Sequence, residues 1–200
     1  MINVGVLALQ GSIAEHVHSL SMIEGIHPCE VKSVSDLGKI SGLILPGGES
    51  TTIDKLIKDF GLTEHIIKRA KEGMPIWGTC AGMILMAKEI VNENYVHLGI
   101  MDISVRRNAY GSHLDSFNST ASIPVISHED IPLVFIRAPW VETAGEKVRI
   151  LARVNNRIAA VQQNNMIATS FHPELTTNLA FHKYFAEIVK KARFLPYGQL

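Results

Sequence analysis

Gly78-Thr79-Cys80-Ala81-Gly82 stands between two apolar runs, Pro75-Ile76-Trp77 before it and Met83-Ile84-Leu85-Met86-Ala87 after it. A chain written this way enters as a buried strand, turns sharply at the cysteine and leaves as a helix. The pattern is a nucleophile elbow with cysteine at its tip, in which flanking glycines permit a strained turn that pushes the reactive side chain out of the backbone. The cysteine also stands at a helix N-terminus, whose positive dipole end favours thiolate, the form that attacks carbonyls. The alternative is a small buried cysteine serving the core.

The flanking sequence places this elbow in an α/β frame. Residues 4–9 form a continuous apolar run, as a strand covered on both faces should. Ser12 and Glu15 make a capping-box pattern, and Ile13, Val17, Leu20 and Ile23 keep helical spacing up to Gly25. Strands are expected over 29–34 and 42–45, the latter closed by Pro46-Gly47-Gly48, with helices from about 50 to 60 and 63 to 72. Strands joined by helices imply a mainly parallel sheet with right-handed crossovers. Beyond about residue 95 short strand-like runs dominate, over 100–105, 133–136, 148–154, 158–162 and 166–170. Asn155-Asn156 and Asn164-Asn165 read as hairpin turns. A final helix near 179–192 gathers Phe181, Phe185, Ile188, Val189 and Ala192 on one face. With 200 residues, 46% hydrophobic and 19% charged, residues 1–200 are expected to form one α/β domain, parallel first and partly antiparallel later.

Composition limits the function classes. Zero formal net charge removes any whole-chain electrostatic case for nucleic acid or an anionic membrane. No apolar run is long enough to span a bilayer, and the N-terminus lacks a basic leader region. Two cysteines, Cys29 and Cys80, make no disulfide framework, so a reducing cytoplasm is expected.

A cysteine nucleophile needs a base. Of nine histidines, His172 is the best placed, because it ends the apolar run 166–171 at the carboxyl edge of a strand, where open α/β sheets build their sites. Glu174 lies two residues on; with an extended backbone both side chains point the same way, and the carboxylate orients the imidazole. A strand-end histidine beside a surface glutamate is the alternative. Gly47-Gly48-Glu49 follows a buried strand and precedes a helix, so its amides suit either an oxyanion nest or a plain tight turn; the amide of Ala81 is the usual second donor of an elbow. Neither nucleotide-binding glycine motif is present. Arg107 and Arg137 stand at strand ends and suit a substrate carboxylate, or are solvated surface cations. His16 and His18, His113-x-Asp115 and His128-Glu129 are poor metal patterns, so no metal and no cofactor is expected.

Taken together, Val6-Leu7-Ala8-Leu9-Gln10-Gly11, Leu43-Ile44-Leu45-Pro46-Gly47-Gly48-Glu49-Ser50-Thr51-Thr52, the elbow, Arg107-Asn108, Asp115-Ser116-Phe117, Phe135-Ile136-Arg137-Ala138-Pro139 and Ser170-Phe171-His172-Pro173-Glu174-Leu175 resemble the class I glutamine amidotransferase family. Within it they are most similar to the glutaminase subunits of two-protein pyridoxal 5'-phosphate synthases. The resemblance implies a flavodoxin-like fold, a central mostly parallel sheet flanked by helices, and hydrolysis of L-glutamine by a triad of Cys80, His172 and Glu174. It implies glutamine binding at Gly47, Gly48, Glu49, Arg107, Ile136 and Arg137, an oxyanion hole at Gly48 and Ala81, and a partner contact at Gln10. The implied partner is a (β/α)-barrel synthase subunit in a large hetero-oligomer, which takes the ammonia to make pyridoxal 5'-phosphate. The alternatives are a glutaminase subunit serving another acceptor and a non-catalytic α/β regulatory subunit. One departure stands out: after Arg107-Asn108 the family commonly carries an Arg-Gln pair where this chain has Ser112-His113.

Overall fold

The computed structural model describes residues 1–107 and 116–192. The elements run β1 (Ile2–Leu7), α1 (Ile13–Ser21), β2 (Ile26–Val31), α2 (Val34–Leu37), β3 (Gly42–Leu45), α3 (Ser50–Asp59), α4 (Thr63–Lys71), β4 (Ile76–Thr79), α5 (Ala81–Met86), β5 (Ala87–Ile90) and β6 (Met101–Arg106). They continue β7 (Ser116–Ala121), β8 (Ile131–Ile136), β9 (Trp140–Ala144), β10 (Arg149–Val154), β11 (Arg157–Gln163), β12 (Met166–Thr169), a 3-10 turn (Pro173–Leu175) and α6 (Ala180–Ala192). Ten strands form one sheet in the order β2-β1-β3-β4-β12-β11-β9-β6-β5, with β10 paired to β11 and the β7–β8 hairpin apart from it.

From β2 to β12 every pairing is parallel. The α/β alternation of the first half therefore produces the expected parallel sheet, and the later strands add antiparallel partners. Both asparagine pairs make two-residue turns: Val154 pairs with Arg157 and Gln163 with Met166. Asn155 and Asn156 both have positive φ, as a primed hairpin turn requires.

The short apolar strands divide their side chains between two cores. Leu43, Leu45 and Ile76 face a layer built with α3, α4 and α5, where Ile53, Ile57, Ile66 and Met83 are buried. Ile44, Trp77 and Ile167 face the opposite layer with Leu20 of α1 and Phe181, Phe185 and Val189 of α6. The period-two alternation of strands and the four-residue spacing of α6 thus meet at one surface. Trp77 has no solvent exposure and stacks near Phe181, so truncating it would cost about 3–5 kcal/mol.

Several expectations change. The second strand begins at Ile26, ahead of the expected 29, and includes Pro28. It is the edge strand of the sheet, where a residue lacking N–H is tolerated. Strands β5, β7 and β9 have no apolar run to announce them; Ser116–Ala121 alternates exposed and half-buried residues because it pairs only with β8. The capping box also fails. Ser12 makes no side-chain cap to α1, and its hydroxyl is used elsewhere.

Candidate active site

Four neighbouring parallel strands, β1, β3, β4 and β12, end on the same edge of the sheet. Their exits carry Gln10 to Ser12, Gly47 to Glu49, Cys80, and His172 with Glu174. The crossovers run outward from β1 toward β2 on one side and β3 on the other, so this edge includes the switch point where open α/β sheets leave a crevice.

Cys80 caps α5 with φ 49 and ψ −102, and its N–H donates to Thr169 O at 2.8 Å. The strained dihedral falls on the cysteine itself; Gly78 and Gly82 serve close approach instead. A Cβ at Gly82 would sit 2.0 Å from Leu45 O, and one at Gly78 2.4 Å from the Gly82 carbonyl carbon. The glycines of the elbow let strand, helix and the neighbouring strand touch backbone to backbone.

The His172 ring and Cys80 both border Gly47, and the Nδ1 atom of His172 lies 2.8 Å from Glu174 Oε1. The three residues expected to act together are therefore brought to one place, with His172 bonded to Glu174 and set beside Cys80. The route differs from the expected one. Strand β12 stops at Thr169, and His172 precedes the 3-10 turn, so a turn rather than an extended backbone brings Glu174 to the imidazole. The backbone N–H of His172 donates to Val134 O at 2.8 Å, and Cys80 Sγ donates to Ile136 O at 3.8 Å. Two carbonyls of β8 thereby tie His172 and Cys80 to the hairpin.

The electrostatics favour charge separation. Burial would lower the His172 pKa, but the hydrogen bonds to Cys80 and Glu174 and their charges raise it to about 10. Burial would raise the Glu174 pKa, but His172 and the Ser12 hydroxyl hold its carboxyl below the ordinary carboxylate range. Ser12 Oγ donates to Glu174 Oε1 at 2.6 Å. An ionised carboxylate next to an imidazolium leaves His172 with a proton to give to a leaving group.

Gly47 lies against this pair. A Cβ there would sit 2.3 Å from His172 Cε1 and 3.4 Å from Cys80 Cβ. Its carbonyl accepts from Ser12 N at 3.1 Å. Gln10 reaches across the same loop: its Oε1 accepts the Glu49 N–H at 3.0 Å and lies against Gly48. The Glu49 side chain caps α3, accepting from the amides and hydroxyls of Thr51 and Thr52. Burial pushes its pKa up, and these bonds bring it down to about 2. Arg107 binds Glu49 at 3.4 Å and Tyr95 Oη at 2.9 Å, so one guanidinium anchors the rim of the crevice. Ile136 and Arg137 are exposed beside Cys80, and Arg137 holds a left-handed φ of 43. Ala81 is the first residue of α5, where an N–H has no partner within the helix. Asn108, the Ser112-His113 departure and His113-x-Asp115 lie outside the described residues.

Sequence reasoning missed the layer behind the triad. His16, Thr79 and His182 have no solvent exposure and cluster behind Glu174. The periodicity of α1 assigned the inward face to Ile13, Val17, Leu20 and Ile23; the most buried helical residues are His16, Ser19 and Leu20. Ser12 was legible as a helix start but not as a partner of a residue 162 positions away. Among the described residues no cluster of His, Cys, Asp and Glu is arranged to hold a metal ion, and no helix is long and apolar enough to cross a membrane.

Comparison with known proteins adds the following. The family model "SNO glutamine amidotransferase family" matches residues 6–191. A protein of Thermoanaerobacter sp. (strain X514) named pyridoxal 5'-phosphate synthase subunit PdxT is 57% identical over 185 residues, covering 92% of this chain and 98% of its own. A protein of the same name from Caldanaerobacter subterraneus subsp. tengcongensis is 55% identical over 185 residues, with the same shares covered. A crystal structure described as a glutamine amidotransferase superposes with a TM-score of 0.88 at 42% identity, over 94% of this chain and 98% of that one.

Proposed function

Because this chain belongs to the SNO glutamine amidotransferase family, we propose that it is the glutaminase subunit of a pyridoxal 5'-phosphate synthase. It hydrolyses L-glutamine to L-glutamate and ammonia and supplies the ammonia to a synthase subunit in vitamin B6 biosynthesis. The names of relatives that match almost end to end support the pathway. The single observation that carries the chemistry is His172, bonded to Glu174 and set beside Cys80, at the ends of adjacent parallel strands. We read residues 1–200 as one glutaminase domain, the partner as a (β/α)-barrel in a large hetero-oligomer, and the setting as cytoplasmic.

Glutamine enters the crevice with its α-carboxylate toward Arg107 and Arg137 and its backbone groups along Gly47, Gly48, Glu49 and Ile136. The Cys80 sulfur, its proton taken by His172, attacks the side-chain amide carbon. Negative charge develops on the amide oxygen and is received by the N–H groups of Gly48 and Ala81. His172 gives its proton to the amide nitrogen, the C–N bond breaks, and ammonia leaves behind a glutamyl thioester. Water then attacks the thioester while His172 takes its proton; the C–S bond breaks, glutamate is released, and the proton returns to the sulfur. Glu174 keeps the imidazole oriented and stabilises its charged form throughout. Gln10, lying over Gly48 and Glu49, is placed for the partner to touch the oxyanion loop.

The test is glutamine turnover by the chain alone and with its synthase subunit, together with labelling by a glutamine-analogue diazoketone. Stimulation by the synthase and covalent label on Cys80 are expected. Cys80→Ser should abolish turnover and keep docking. Absence of label on Cys80 with the synthase present would sink the assignment.

A further inference from the structure

Glu174 has two carboxylate oxygens, and the triad uses only one of them. Oε1 receives His172 Nδ1 and the Ser12 hydroxyl. Oε2 is buried without a hydrogen bond of ordinary geometry, and the group facing it is His16 Nε2 at 3.4 Å. An ionised oxygen left this dry is costly unless a donor points at it.

The ring of His16 continues the chain. Its Nε2 also lies 3.2 Å from Thr79 Oγ1, and its Nδ1 lies 3.0 Å from Nε2 of His182. Nδ1 of His182 is buried and without a partner. Burial holds the pKa of both rings below the ordinary histidine value, that of His182 down to about 3, so both are neutral and each carries one hydrogen.

Only one pair of tautomers suits these contacts. If His16 carried its hydrogen on Nδ1, a bare Nε2 lone pair would face the Glu174 anion. His182 would then have to accept, and its own hydrogen would sit on Nδ1 as an orphaned buried donor. Buried N–H groups without acceptors are rarer than under-used acceptors. With hydrogens on Nε2 of both rings, His182 donates to His16, the His16 hydrogen faces both Thr79 Oγ1 and Glu174 Oε2, and the unpartnered ring atom is an acceptor. Trp77, edge-on to both rings, fills the remaining space.

We propose that His16 is a positioning residue of the Cys80 centre: its Nε2 hydrogen holds the second oxygen of Glu174, in a tautomer dictated by His182. It does not touch substrate. It restrains the carboxylate so that Oε1 stays aimed at His172, and through His172 it keeps Cys80 aligned. This rests on the triad reading above.

The test has a direct arm and a kinetic arm. Long-range 1H–15N spectra of the whole chain, labelled with 15N-histidine, should show neutral Nε2–H tautomers for His16 and His182. An Nδ1–H tautomer on His16 would overturn the proposal. In the complex with the synthase subunit, His16→Leu should lower kcat for glutamine about tenfold, the weight of one hydrogen bond to a charged group, with KM within about twofold. His16→Gln, which returns an amide N–H near Nε2, should restore most of the loss. Wild-type kcat in His16→Leu overturns the proposal, and so does equal loss in both variants at equal cost in melting temperature, the mark of a merely structural role. If His16→Leu does not fold, the tautomer spectra and His16→Gln decide. The rate of Cys80 alkylation by iodoacetamide, which needs neither glutamine nor partner, should fall in His16→Leu and recover in His16→Gln. A wild-type chain that turns over no glutamine, yet shows the predicted tautomers and alkylation pattern, would refute the proposed function and leave this inference standing.

Discussion

Gly47→Ala perturbs the site without replacing any residue that reacts. The added Cβ would lie 2.3 Å from His172 Cε1 and 2.8 Å from Nδ1. Carbon atoms in ordinary contact stand about 3.5–4 Å apart, so the ring must retreat by about 1 Å. Retreat is opposed on the far side, because Nδ1 is held by Glu174 at 2.8 Å and the His172 backbone by Val134. The cheapest response tilts the ring away from Cys80. Misplacing a reacting group by about 1 Å costs on the order of a hundredfold in rate, while overpacking costs about 1–3 kcal/mol of stability. The assay is steady-state glutamine hydrolysis with the synthase subunit, alongside urea unfolding. The expectation is a kcat loss of about a hundredfold in a chain that still folds, and slower labelling of Cys80. Gly38→Ala is the control, since its nearest atom is Ser35 O at 3.4 Å and its φ of −68 suits any residue. Gly47→Ala with kcat within about twofold of wild type would show that His172 accommodates a Cβ, and the steric account of this glycine would be wrong.

Three further outcomes are expected. Ser12→Ala removes the hydroxyl donor on Glu174 Oε1; kcat should fall about tenfold, the cost of a hydrogen bond to a charged group, and an unchanged kcat counts against that role. Arg107→Ala should raise KM for glutamine more than it lowers kcat, and a change confined to kcat would remove Arg107 from substrate binding. His182 titrates near 3 in the fold and near 6.5 unfolded, so only the unfolded chain takes up its proton between those values. Its contribution is complete above pH 6.5 and declines as pH falls toward 3, by about 2 kcal/mol at pH 5. Urea unfolding of His182→Leu should therefore lose less stability than wild type between pH 7.5 and pH 5; parallel losses would mean that His182 is protonated in the fold.

The legible parts of the sequence are those whose information is local. The third strand is read at its observed bounds because Gly42-Leu43-Ile44-Leu45 is apolar on both faces and closed by Pro46-Gly47-Gly48. Cys80 is read because glycines and apolar runs surround it. His172 and Glu174 are read as neighbours although the reason offered, an extended backbone, is replaced by a 3-10 turn. Polar strands such as Ser116–Ala121 are invisible to periodicity, since their partner strand rather than their side chains makes them strands.

Segment order, apolar pattern and turn residues, all carried by the sequence itself, determine a parallel sheet whose carboxyl edge presents a cysteine, a histidine and a glutamate. Backbone sterics and burial of alternate side chains act within a few residues, so a linear reading reaches them. Which atoms meet is decided by the tertiary structure alone. Ser12 binds Glu174 rather than its own helix, His16 turns inward behind Glu174, and His182 meets His16 from 166 positions away. Those contacts arise because β1, β4 and β12 bring distant exits onto one edge while α1 and α6 pack on the same face of the sheet. Hydrogen bonding is directional and short-ranged, so its partners exist only once the packing has placed them.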